Sequence, residues 1–102
     1  MATNTVKVLF RGAATTTVGT TLYTVPASTT TVVTNILVTN TASSSGTYTI
    51  GLNGTAMATT VSIGANSIAA LDIKQVLATT NTITGGASAT SINFHISGVE
   101  IS

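Results

Sequence analysis

The sequence predicts an all-β fold: an antiparallel β-sandwich of about eight short strands, jelly-roll or Ig-like, with a small β-barrel as the alternative. Three observations predict it. Apolar and polar residues alternate with a period of two nearly throughout, and no stretch sustains a helical period. Gly, Asn, Ser and a single Pro interrupt this alternation at close spacing, as in sandwiches and small barrels. Charged residues make up 5% of 102 positions, against roughly 25% in an ordinary soluble domain. Thr, Ser and Asn take their place, and Thr is a β-branched polar residue at ease on a pleated surface.

The elements follow in order. Val6, Val8 and Phe10 alternate with Lys7 and Arg11, giving a first strand with one apolar face. Ala13 to Gly19 is small and polar and reads as a connection. Leu22 to Val25 is a short strand stopped by Pro26, which pre-sets a turn and cannot donate to a central ladder. Thr30 to Asn40 is the strongest strand, with Val32, Ile36 and Val38 on one face and Val33 and Leu37 on the other. Apolar residues on both faces place it in the middle of the domain or under a partner. Thr41 to Gly46 is a Ser-rich loop, exposed and mobile. Tyr48, Ile50 and Leu52 alternate with Thr47, Thr49 and Gly51, and Asn53-Gly54 then signals a tight hairpin, because both residues tolerate positive φ. The return strand carries Met57, Val61 and Ile63.

Gly64 to Ser67 is a turn into Ile68–Ile73, and Asp72 to Leu77 is expected to form one helical turn capped by Asp72. Thr82 to Thr84 is a short strand ended by Gly85-Gly86. In the last strand Ile92, Phe94 and Ile96 share one parity, and Val99 and Ile101 the other. A β-bulge at Gly98 would restore all five to the core. The competing account has the strand leave its own sheet near Ser97, so that Val99 and Ile101 bury against a neighbouring subunit. Their lying on the opposite face with pairing unbroken through Gly98 would instead defeat the bulge and make the C-terminus a candidate assembly surface. The whole chain reads as a single domain, 1–102, with 1–5 as an extended N-terminal arm.

Composition also bounds function. The two acids, Asp72 and Glu100, are read as a cap and a solvated edge charge rather than as a catalytic pair. His95, the single histidine, alternates with Phe94 and Ile96 and so points away from the core, as an exposed or interface residue. No nucleophile elbow, phosphate loop or metal-ligand spacing occurs, so no catalytic residue, cofactor or metal is expected, and no enzyme. A net charge of +1, with Lys7, Arg11 and Lys74 scattered, argues against nucleic acid. The mean hydropathy is +0.54, yet no apolar run approaches the roughly 20 residues of a membrane helix. MATNTVKVLF has neither a basic leader nor an apolar h-region, so no secretory signal is expected. Asn53-Gly54-Thr55 matches a glycosylation sequon, which the hairpin turn explains. The Thr-x-Thr patches are too irregular for an ice-binding face, and the recurring Thr-Asn pairs have no fixed period.

The segment TLYTVPASTTTVVTNILVTNT, Thr21 to Thr41, resembles a pattern common in small tailed-bacteriophage virion proteins. There, a strand ending Tyr-x-Val-Pro-Ala turns into a long apolar strand that ends at Asn. Ile63 to Ser67, Leu71 to Leu77 and Ile96 to Ile101 are similar to the same group, so the resemblance covers most of the chain from Leu22 onward. It implies a virion structural role: a capsid decoration (cement) protein bound to the major capsid protein and to copies of itself, as a homotrimer on a lattice site. A tail or fibre module that binds host glycans is the alternative. It implies a virion location after assembly in the host cytoplasm, and it carries over no catalytic residue. Hydropathy nominates Val33 or Leu37 as an assembly contact beneath another subunit or the shell, and Lys7 and Arg11 are the electrostatic anchors to expect should high salt release the protein instead.

Overall fold

Two layers, one of five strands and one of four, hold every strand among the described residues, and all strand pairs are antiparallel. The computed structural model describes residues 3–17, 19–71 and 74–102. Its strands are β1 (Asn4–Ala13), β2 (Thr20–Thr24), β3 (Thr30–Asn40), β4 (Gly46–Leu52), β5 (Thr55–Ile63), β6 (Ser67–Leu71), β7 (Gln75–Leu77), β8 (Thr82–Ala87) and β9 (Ile92–Ile101). The larger sheet runs β1-β9-β3-β6, with β7 also on β3, and the smaller runs β2-β8-β4-β5. β6 and β7 lie end to end along one edge of β3, pairing Ile36–Asn40 and Thr31–Val33 respectively. Counted as one interrupted strand, they leave eight. Those eight pair from the outside of the chain inward: β1 with β9, β2 with β8, β3 with β6/β7, and β4 with β5. That is a long hairpin wound into two sheets, the jelly roll.

The jelly-roll form of the predicted sandwich is therefore the one adopted, and the extra strand is β7. Gln75–Leu77 forms strand rather than the expected helical turn. β-branched Val76 and its neighbours satisfy the ladder groups of β3 at Thr31–Val33, which a helical turn would leave unpaired. Asp72, the expected cap, lies outside the described residues.

The core is aliphatic. Val25, Val33, Ile36, Val38, Ile50, Ile83, Ile92, Phe94 and Ile96 are fully buried between the sheets. The β4–β5 hairpin turns on Asn53 (φ 49°) and Gly54 (φ 80°), as the Asn-Gly signal predicted. Gly85 and Gly86 do not end β8 but lie within it. A Cβ on Gly85 would stand 3.2 Å from the Phe94 ring of the opposing sheet, so glycine there admits the largest core side chain.

The parity switch expected in β9 lies in its neighbours. β9 pairs without interruption, whereas β3 slips one residue between Val33 and Asn35 and β1 between Val8 and Phe10. An extra residue in β3 reverses the faces upstream of it: Val33 joins Ile36 and Val38 inside, and Val32 turns outward. In β1, Leu9 and Phe10 reach the core and Val6 and Val8 face away, opposite to the expected apolar face. Gly98 is still structural, for another reason. A Cβ there would collide with the Val32 carbonyl oxygen and stand 2.9 Å from Leu9 Cδ1, because both bulged neighbours crowd it. Asn4 and Thr5, expected in an extended arm, pair with Ile101 and Glu100 as the start of β1.

The Thr41–Gly46 loop is exposed but tied down. Buried Asn40 donates from Nδ2 to the carbonyls of Ser44 (2.9 Å) and Gly64 (3.2 Å), and accepts at Oδ1 from the Ala42 N–H (3.1 Å).

Candidate functional site

Registers fix which side chains share the outer face of the larger sheet. Because β9 presents Ile92, Phe94, Ile96 and Gly98 inward, His95, Ser97, Val99 and Ile101 point outward. Their partners form rows across the sheet. Asn4, Ile101 and Thr30 make the first, and Val6, Val99, Val32 and Val76 the second. Val8, Ser97 and Asn35 follow, then Arg11, His95, Leu37 and Ala70, and last Ala13, Asn93, Thr39 and Ile68. The second row is four valines wide. Val6 is 86% exposed, Ile68 68%, Val76 67% and Val8 45%. Of the five large apolar side chains most exposed among the described residues, these four lie on this one face; the fifth, Val61, is on β5 of the other sheet.

Charge is kept off the valines. On these rows Arg11 is the one permanently charged side chain, set opposite His95. Lys7 and Glu100 belong to the inward parity of the same sheet, at the end where β2 crosses beneath it. There the Tyr23 hydroxyl, from the other sheet, donates to Glu100 Oε2 and lies 2.9 Å from Thr31 Oγ1. Lys7 Nζ reaches the same carboxylate at 3.3 Å. Thr31 is fully buried, so this cluster is a polar clasp closing one end of the sandwich. The Tyr23 hydrogen bond, and then Lys7, hold Glu100 below the usual glutamate range, against partial desolvation. Burial, and then the hydrogen bond to Glu100, push the Tyr23 hydroxyl above its ordinary value.

The nominated contacts thus separate. Val33 is sealed in the core of its own chain, because the β3 bulge gives its expected place to Val32. Leu37 is half-buried on the outer face, Arg11 is exposed on it, and Lys7 is drawn into the clasp. Glu100, expected as a solvated edge charge, is the clasp's acceptor. Tyr48 is buried and Tyr23 is committed to Glu100. Three open depressions of about 350–370 Å³ occur on the surface; threonine, asparagine, glycine and aliphatic side chains dominate their walls, and none carries an ionisable group. Among the described residues no three His, Cys, Asp or Glu side chains gather where they could hold a metal ion.

No family model matches the chain, and no curated protein matches it. Among solved structures, the coat protein dimer of Tobacco streak virus is similar, at 12% identity and a TM-score of 0.43, over 99% of this chain and 85% of that one. At that score the likeness assigns neither a family nor a role.

Proposed function

We propose that the protein is a virion structural protein of a tailed bacteriophage, a decoration protein that self-associates and binds the outside of the capsid shell. The observation that carries this reading is the gathering of exposed apolar side chains on one sheet face. A protein that acts alone has little reason to leave four large aliphatic side chains open on one surface. Jelly rolls serve viral shells, lectins and cupins alike, so the choice falls to the surface rather than the fold. A cupin or other enzyme needs ionisable or metal-ligating groups in a cleft, and the three depressions described have none. A glycan-binding fibre module needs an aromatic platform, and both tyrosines are turned to other uses. The resemblance of Thr21–Thr41 and the later strands to small phage virion proteins supports the same reading. The threefold count is implied by that resemblance alone.

Contacts of this kind depend little on ionic screening. Antibody labelling of intact particles should mark the shell. The label should survive a wash from about 0.1 to 1 M salt, over which the Debye length falls from roughly 10 to 3 Å. Label on the tail alone assigns the fibre reading, and unlabelled particles refute both.

A further inference from the structure

We infer that the outer face of the larger sheet is the contact between two copies of this chain, packed face to face about a twofold axis that runs along the strands between β9 and β3. The inference rests on the reading of the protein as self-associating, but not on the shell as its partner.

The rows are self-complementary about that axis. It exchanges β1 with the β6/β7 edge and β9 with β3, so each row packs on its own copy. Val6 meets Val76 of the second copy, and Val99 meets Val32. Ile68, the large apolar residue at the far end, meets small Ala13. Arg11 lies over Ala70 rather than over its own symmetry mate. At ~4.8 Å between strands the two arginines stand about 14 Å apart sideways, with roughly 10 Å more between the sheets. That exceeds the Debye length of about 8 Å at physiological salt. Among the described side chains on these rows the arginines therefore do not oppose the approach of a second copy.

The area is also of the right order. Four strands by nine residue steps span roughly 19 by 30 Å, a projected ~570 Å² before side-chain relief is added. A standard stable interface takes about 800 Å² from each partner. Two such sheets pack about 10 Å apart, aligned within about 30°, which repeats the layering inside the subunit.

The chain contains no cysteine, which allows a clean test. In one subunit Val6 and Val76 are three strand spacings apart, about 14 Å, with their side chains parallel, too far for a short thiol cross-linker to join them within a chain. The double variant Val6→Cys/Val76→Cys, treated with a bifunctional thiol reagent that spans about 8 Å, enough to join thiols pointing at each other across sheets about 10 Å apart, should run as a covalent dimer on a denaturing gel. Light scattering of the wild type at about 100 µM should give the mass of two chains. Val6→Glu should give one chain that still melts cooperatively, lower by no more than the lost association, while Val61→Glu, on the other sheet, should leave two. A wild-type mass of one or three chains, a Val6→Glu dimer, or no cross-link overturns the inference. A monomeric wild type whose shell labelling is lost in Val6→Glu assigns the face to the shell, which also overturns it. A cross-linked dimer that leaves particles unlabelled preserves this interface and removes the shell as partner.

Discussion

Replacing Glu100 by Gln tests whether the clasp between Tyr23, Glu100, Lys7 and Thr31 holds the two sheets together at one end. Glutamine keeps the shape and an accepting oxygen, so the change removes charge and little else. A hydrogen bond to a charged group contributes about 1.5–3 kcal/mol and a neutral one about 0.5–1.5, so the Tyr23 bond should weaken by about 1–1.5. The ion pair with half-exposed Lys7 adds about 0.5 at most. The expected loss is about 1–2 kcal/mol near pH 7, or about 5–10 °C in Tm at ~0.2 kcal/mol/K of unfolding entropy for a chain this size. The sign with pH follows from the direction of the shift. Glu100 is lowered in the folded state, so its stabilisation is present above the unfolded value of about 4.3 and is lost as pH falls through the lower folded value. Melts followed by far-ultraviolet circular dichroism, at pH 7 and at steps down to pH 2, should show the gap between wild type and variant closing on the acid side. Differencing against the wild type removes whatever Asp72 contributes. A gap below 2 °C at pH 7, or one that stays constant to pH 2, would refute the clasp.

Two further substitutions probe the backbone. Gly98→Ala forces a methyl group against the Val32 carbonyl and Leu9 and should cost about 2–3 kcal/mol, a fall of about 10–14 °C in Tm; a change under 3 °C would mean that the bulged strands yield freely. Thr60→Gly should stabilise, because β-branched Thr60 is held at φ 49° in the β5 bulge. Relief of about 1–2 kcal/mol, less about 0.5–1 for glycine's freedom in the unfolded chain, leaves a Tm rise of a few degrees in the same melts.

Alternation and turn chemistry made most of this fold legible. Asn53-Gly54 located the hairpin, and the clash of parity between Phe94 and Val99 signalled that something in the larger sheet was irregular. What alternation could not say was which strand carried the irregularity. A bulge in β3 and an unbroken β9 leave the same pattern in β9 as a bulge at Gly98 does, and they differ only in the register between strands. The misassignment of Val32 and Val33 followed from that. The valine row was half legible: Val99 and Ile101 were readable as an assembly surface, but Val6 joins them through a pairing with Val99, and Val76 through one with Val32, partners far apart in sequence. The clasp was hidden for the same reason, since Tyr23 and Glu100 are brought together by the packing of two sheets.

The placing of β9 between β1 and β3 also bears on how the chain is made. Of the nine strands it leaves the ribosome last, yet it fills the centre of its sheet. Until residues 92–101 emerge, β1 and β3 have no ladder between them, and Phe94, the largest core filler, is missing. At roughly 5–20 residues per second, the earlier strands wait several seconds with their apolar faces open. A nascent chain cut short before β9 is therefore an unfilled frame rather than a smaller version of the domain. The sandwich closes only once β9 has emerged, and chains cut short before it stay open to proteolysis.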